Sequence, residues 1–446
     1  MKITRVEQDS NASIGHVGLA VISEMARLSG LNDLCQQLTT LKQPQISDAE
    51  ILRTLCGLLC QGKTDFDHVK AFRDDAFFLE ALGLGRVHSA EILRQRFQSL
   101  AMNGAFFDRL PECSMRLWEK SGMEPDYLII GDQRWVRMDV DVAVFDNADT
   151  KKEGASFTYN KRFGFAPIFA HLGGGWMVGA QLRPGSAHSL AEGTIDFFLQ
   201  SVDRALSIVQ EVPIVVVADS GFDSQELIRG LHGKKRTDFV IKHNLRRETK
   251  DSWLETAREH AGEVCPFERK KESGTIYRGS VTRSVKGIKK PVRMVFEVTE
   301  VTRQKGQQLL LPEVRVCVLW TSLDLTEEEV LKIYRDRGTS EQYHAELKSE
   351  MDMERLPSGK FVVNNAFLLL GMLVYNMLKV VGREMVFARA LGLKKATRRR
   401  MKTLMRSVML MCGRIIHHSR QLTLRLSCNG PWYTFFSGLL GRLQAA

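Results

Sequence analysis

The segment Pro213-Ile214-Val215-Val216-Val217-Ala218-Asp219-Ser220-Gly221-Phe222 constrains the fold more than any other stretch of this chain. Its unbroken β-branched run predicts a strand buried on both faces, the habit of parallel sheets covered by helices, and Gly221 ends it. Asp219 then sits at a strand's carboxyl end, where open α/β sheets bind ligands. Upstream, Arg137-Met138-Asp139-Val140-Asp141-Val142-Ala143-Val144-Phe145 alternates like a strand, so Asp139 and Asp141 share a face. Acids inside an apolar strand need a cation.

The surrounding pattern is α/β. Strands are expected over 135–145, 163–172 and 176–183, separated by Gly-containing turns, then a helix over 189–209, the strand ending in Asp219, a helix over 224–231 and a strand over 237–243. Residues 1–125 read as a helical domain, with Ser47 placed to cap a helix carrying Ile51, Leu52, Leu55, Leu58 and Leu59, and further helices starting near Phe66, His88 and Asn103. Residues 251–322 read as a β-rich insertion with alternating runs at 277–281, 292–298 and 314–320. Thr326 is placed to cap the next helix, leaving Glu327, Glu328 and Glu329 as first-turn charges.

On that helix, taken as one regular α-helix, Tyr334, Arg337, Glu341 and Lys348 fall within about 60° of circumference. Glu346 falls about 140° from Glu341, off the stripe. A carboxylate flanked by Arg, Lys and Tyr suits a site that holds metal on one side and a phosphodiester on the other. The alternative is a solvated charged face with i,i+4 pairs. Gly338 lies at the edge of the stripe, where a missing side chain permits close approach.

These residues resemble the DDE transposases of prokaryotic insertion sequences, in the DDE group 1 subgroup with a Y-x2-R-x3-E-x6-K signature. The resemblance rests on Tyr334, Arg337, Glu341 and Lys348 at ungapped spacing, on Asp139-Val140-Asp141 and Ala218-Asp219-Ser220-Gly221-Phe222, and on Tyr159-Asn160 with Gly164 and Pro167 and the run Arg183-Pro184-Gly185-Ser186-Ala187-His188-Ser189. It implies Asp141, Asp219 and Glu341 as the catalytic, metal-ligating triad. Where the family often has Thr two residues after its first acid this chain has Ala143, so Asp139 stays open as an alternative first ligand. The resemblance also implies a ribonuclease H-like core at 126–250, interrupted at 251–322, completed by the catalytic helix at 323–358 and followed by a basic helical region at 359–446.

The implied activity is phosphodiester cleavage at transposon ends and strand transfer into target DNA, by a cut-and-paste route through hairpin ends. Displacement at a phosphodiester needs an in-line oxygen nucleophile and a stabilised leaving oxygen, and two hard cations held by three carboxylates supply both. Oxygen-only ligands favour Mg²⁺, with Mn²⁺ as substitute. Tyr334, Arg337 and Lys348 are then candidate DNA-backbone contacts. In the family the insertion lies over the site and stacks an aromatic on an extruded base, for which Trp253 and Trp320 are candidates beside the commoner reading of core tryptophans. A nuclease that cleaves without joining, and a decayed DNA-binding relative, are the alternatives.

Charge agrees with a DNA partner: the 446 residues carry net +11, with fifteen Lys and Arg against the single acid Glu384 in residues 357–446. Arg398, Arg399 and Arg400, in the cluster that begins at Lys394-Lys395, are candidate phosphate contacts. The expected partners are terminal inverted repeats, target DNA and a second copy of the chain on paired ends. Eight scattered cysteines, at 35, 56, 60, 113, 265, 317, 412 and 428, read as reduced core residues, and Cys56 with Cys60 lacks a second pair to complete a zinc site. The start of the chain lacks a charged-then-apolar leader, and the apolar run 366–381 contains Asn376 and Lys379 and is short for a span, so a cytoplasmic protein that reaches the nucleoid is expected.

Overall fold

The computed structural model describes residues 15–38, 46–130, 132–246, 248–269, 271–387, 398–418, 421–426 and 432–446. Cys428 and the run Lys394-Lys395-Ala396-Thr397 lie outside the described residues. Among those described, helices α1 (Leu19–Leu28), α2 (Leu31–Leu38), α3 (Asp48–Leu59), α4 (Ala76–Leu82), α5 (Ala90–Ala101) and α6 (Ala105–Lys120) precede the first strand. Ser47 does stand at the start of α3, yet its side chain makes no capping bond, and Asp48 instead pairs with Arg96 to tie α3 to α5. Ser89 caps α5 by accepting from the Ile92 amide. At Phe66–Phe72 the expected helix is a 3-10 turn with a capping box made by Asp65 and His68.

A ten-stranded mixed sheet follows: β1 Tyr127–Ile130, β2 Gln133–Val142, β3 Ile168–Leu172, β4 Trp176–Gln181, β5 Ile214–Ala218, β6 Thr237–Lys242, β7 Ala261–Arg269, β8 Glu272–Arg283, β9 Val292–Gln304 and β10 Gln307–Thr321. The path is β7-β8-β9-β10-β6-β5-β2-β3-β4, with β1 beside β2. β2 pairs in parallel with β5, and β5 with β6. The remaining neighbours are antiparallel. Residues 145–165 make a separate three-stranded sheet, so the expected strand over 163–172 is split. Gly164 is required there, because a Cβ would lie 1.9 Å from the Phe145 carbonyl oxygen.

The insertion continues the central sheet, because β10 pairs with β6. It also holds a strand, β7, that the sequence pattern did not show. β7 is an edge strand with Gly262 and Pro266, mostly exposed, so its side chains carry no burial rhythm.

The valine run of β5 is buried on both faces as its composition predicts. Val215 and Val217 pack with Val240 and with Val330, Leu331 and Ile333 of α10 (Glu327–Arg335), while α7 (Thr194–Val209) covers the other face. α8 (Gln225–His232) is capped by Ser224, and α9 (Lys250–His260) packs on the insertion.

α11 (Ser340–Ala345) precedes α12 (Phe361–Phe387), a 27-residue helix longer than the apolar run suggested. Length and composition alone would let it cross a membrane, but 83% of its most apolar window is buried inside this protein. It packs on α6 and on edge strand β4. Asn376 explains the polar interruption: its side chain accepts from the Met177 amide at 2.9 Å and donates to the Met177 carbonyl at 2.8 Å, satisfying an edge residue.

The C-terminal region departs from the expected run of helix. Residues Gly413–His418 and Gln421–Leu426 form a hairpin before the helix Tyr433–Ala445. Cys35, Cys56, Cys60 and Cys113 are buried, while Cys265 and Cys317 are half-buried and Cys412 is exposed.

Candidate active site

Parallel pairing sets the first two acids side by side. Val140 is opposite Ala218, so the next residues, Asp141 and Asp219, leave adjacent central strands at the same level. Asp219 leaves β5 into a 3-10 turn, where its carboxylate accepts from the Gly221 amide at 2.9 Å. Asp141 accepts from the Val142 amide at 2.9 Å.

The helical wall comes from α10, which Thr326 starts with a full capping box to Glu329, as the sequence predicts. The regular helix then fails. A 3-10 turn over Asp336–Thr339 separates α10 from α11, and a π-helical turn over Glu346–Glu350 follows. Each change of pitch rotates the later residues away from the phase that one regular helix gives them. Tyr334, Arg337, Gly338, Glu341 and Lys348 nevertheless line one cleft with Asp141 and Asp219, about 740 Å³ in volume. A Cβ on Gly338 would meet open space.

Arg337 occupies the acidic centre, its guanidinium 2.7 Å from the Asp141 carboxylate, with both side chains largely buried. Burial raises the pKa of Asp141, and Arg337 opposes that rise. Burial likewise raises Asp219, Arg337 opposes it, and the Asp141 charge adds to it. Asp139 lies deeper and outside the cleft lining. Burial pushes it up to about 6, Arg137 holds one oxygen at 3.0 Å, and the other oxygen has no partner.

The donor set suits a hard divalent cation: oxygen-only acids, two of them neighbours whose charges burial disfavours. Among the described residues, however, no group of three Asp, Glu, His or Cys side chains stands close enough to hold one ion. The three acids share a cleft, and Arg337 supplies the neutralising charge.

Of the other candidates, Lys348, Arg398 and Arg400 are tied to named partners. Lys348 pairs with Glu354 at 2.7 Å. Arg398 makes two bonds to the buried Glu346, at 2.6 and 2.7 Å, and lies 4.9 Å from the Tyr343 ring centroid. Glu346 is thus off the cleft, as its phase suggested. Arg400 pairs with Glu350. Arg399 borders a second hollow of about 250 Å³ beside Lys379 and Arg383, which contains none of the three acids.

Sequence reasoning missed Arg162 and His344, both in the cleft lining. His344 lies one helical turn after Glu341, burial pushes it down to about 4, and its Nε2 has no partner, so the ring is neutral. Trp253 and Trp320 are 3% and 5% exposed, and their indole nitrogens donate to Glu248 and His243. They are core residues, unavailable for stacking on a base.

No curated protein matches the chain. The family model described as transposase DDE domain group 1 matches residues 3–446, nearly the whole length. The chain therefore belongs to the DDE transposase family, whose members act on DNA.

Proposed function

We propose that this chain is an insertion-sequence transposase that cleaves its element's ends and joins the freed 3′-hydroxyls to target DNA. The observation that carries the reading is a single cleft lined by Asp141, Asp219 and Glu341 together with Tyr334, Arg337 and Lys348. The strand order β4-β3-β2-β5-β6, three antiparallel strands and then two parallel ones, supports a ribonuclease H-like core, with 1–125 as end-binding domain and 359–446 as basic C-terminal region. Asp141, Asp219 and Glu341 would hold Mg²⁺ ions, which when bound activate the attacking oxygen and stabilise the leaving one.

The protein's own groups do the rest. Arg337 and Lys348 orient scissile phosphate oxygens by charge-assisted hydrogen bonds, and Tyr334 positions the neighbouring backbone. Arg399 contacts phosphate at a distance, while Arg398 and Arg400 brace the π-helical turn behind Glu341 through Glu346 and Glu350. Hairpin ends, a dimer on paired ends and work at the nucleoid in the cytoplasm complete the reading.

The test incubates purified protein with Mg²⁺ and labelled DNA from the flanks of its own gene. Wild type should nick and transfer strands, and Asp141→Asn, Asp219→Asn and Glu341→Gln should each lower the rate by roughly a thousandfold or more. Nicking that persists in Glu341→Gln would refute the assignment, and nicking without joining would make the chain a nuclease.

A further inference from the structure

The sheet carries an apolar projection that the catalytic reading leaves unused. In β10, Leu310 and Leu311 are 99% and 80% exposed. They lie in a bulge: Val301 of β9 pairs with Glu313, but Arg303 pairs with Gln308, so four residues, Leu309 to Pro312, loop out opposite Thr302. Two adjacent, nearly bare leucines on a stretch of strand paired on one side only cost solubility and invite aggregation, and among the described residues nothing covers them.

Register says where they stand. β10 pairs with β6 only at Leu319, Trp320 and Thr321, and Leu319 is opposite Lys242, level with Asp219. Earlier residues of β10 therefore run on past the carboxyl ends of β6, β5 and β2, the end that bears the acids. At about 3.3 Å per residue along β9, from Val295 opposite Leu319 to Thr302, the bulge lies roughly 23 Å beyond Asp219. β10 has lost its neighbour there, so its open edge overlooks the space outside the acidic cleft.

The charge around the bulge selects the occupant. The turns beside it bring together Arg269, Lys271, Arg303 and Lys305, with the Lys305 amide donating to the Lys271 carbonyl. Among the described residues the acids near this end are Glu268, then Glu272 and Glu313, which share Arg315, and Glu300, which Arg258 pairs. Pro312 offers no N–H, which disfavours edge-to-edge pairing with a second copy of the chain. Basic residues around an apolar tip suit a nucleic acid groove, where phosphates take the cations and base edges or sugars take the leucines.

We propose that the Leu310–Leu311 bulge is a finger that enters the groove of the element's own end duplex, about seven base pairs from the scissile phosphate at 3.4 Å per base pair. This rests on the transposase reading above and adds a second, remote contact to it. Arg303 and Lys305 flank the finger on the phosphates.

Hydroxyl-radical footprinting on duplex DNA from the flanks of the gene tests it, with wild type, Leu310→Ser/Leu311→Ser and Arg303→Ala/Lys305→Ala. Wild type should protect the cleavage site and a second patch about seven base pairs away. The leucine variant should lose the second patch and bind about tenfold more weakly, with an unchanged melting temperature because both side chains are solvent-exposed. The basic variant should lower the salt slope of binding by about 0.9 per lost contact. A distal patch that persists in the leucine variant overturns the finger while leaving the transposase reading intact. If the DNA-free wild type is a dimer that the leucine variant splits, with the footprint unchanged, the bulge is a contact between copies and the proposal falls. Failure of wild type to protect any end sinks the transposase reading first, and the finger with it.

Discussion

Glu248→Gln probes what holds the long β extension against the core. The Glu248 carboxylate accepts from Arg283 twice, at 2.6 and 3.0 Å, from the Trp253 indole at 2.7 Å, and faces His243 Nε2 at 3.2 Å. Arg283 belongs to β8, Trp253 to α9 and His243 follows β6, so one side chain joins three elements. The Arg283 bonds above all hold its pKa down at about 2, against 4.5 for a free glutamate. At about 1.36 kcal/mol per unit this corresponds to roughly 3.4 kcal/mol. The side chain is about a third exposed, and solvent screening reduces the value to about 1–2 kcal/mol. The sign follows from a depressed acid: the stability is complete above pH 4.5 and disappears as pH falls through 2. Glutamine keeps one acceptor and loses the charge. Urea unfolding of both proteins should show the variant weaker by about 1–2 kcal/mol at pH 7, with about 40% of the gap left at pH 3. A gap that is constant across that range would refute an electrostatic brace.

Asn376→Leu should cost about 2–3 kcal/mol in the same assay, because it strands the buried Met177 amide and carbonyl, and a loss under 0.5 kcal/mol would show that the edge of β4 finds other partners. Arg398→Ala should destabilise by about 3 kcal/mol by leaving Glu346 buried and unpaired, yet leave the salt slope of DNA binding unchanged. A flatter slope would make Arg398 a phosphate contact. Arg337→Met should lower stability by about 2–4 kcal/mol without divalent ion and enlarge the rise in melting temperature on adding Mg²⁺. Its loss should grow as pH rises above 4, because burial already raises the pKa of both aspartates. An ion response equal to that of wild type would mean that Arg337 and the cation do not compete.

The sequence is most legible where one local force dominates. A run of valines has only one comfortable home, between two covered faces, so β5 and the position of Asp219 at its end followed from composition. Thr326 with Glu329 wrote its own capping box. The pitch changes at 336–339 and 346–350 were hidden, because they arise from packing: Glu346 turns inward to Arg398 and Tyr375, which no i,i+4 rule contains. β7 was hidden because an exposed edge strand has no apolar rhythm. The C-terminal hairpin was hidden because its strands are only six residues each and follow directly on the methionine-rich helical turns at 401–409. Trp253 and Trp320 illustrate a further limit, since an aromatic's role depends on whether its N–H finds a partner, and those partners, Glu248 and His243, come from other elements.

Arg337 connects these observations to the chemistry. Two carboxylates side by side at the ends of buried strands repel each other and resist charging, and the folded chain supplies a cation against Asp141 from its own helical wall. On the proposed reading the same guanidinium grips a phosphate in the cleft, but while it is bonded to Asp141 part of its fork is taken. An arriving cation that neutralises Asp141 and Asp219 would free that fork for DNA, and a phosphate that draws Arg337 away would leave the aspartates in need of a cation. By linkage each must then strengthen the binding of the other. The 3-10 turn that carries Arg337 sits between two regular helices, so its side chain can exchange partners while α10 stays packed on the sheet. The irregular helix is thus where the fold holds the charge that neutralises the acids, and on the proposed reading DNA and metal would replace it there.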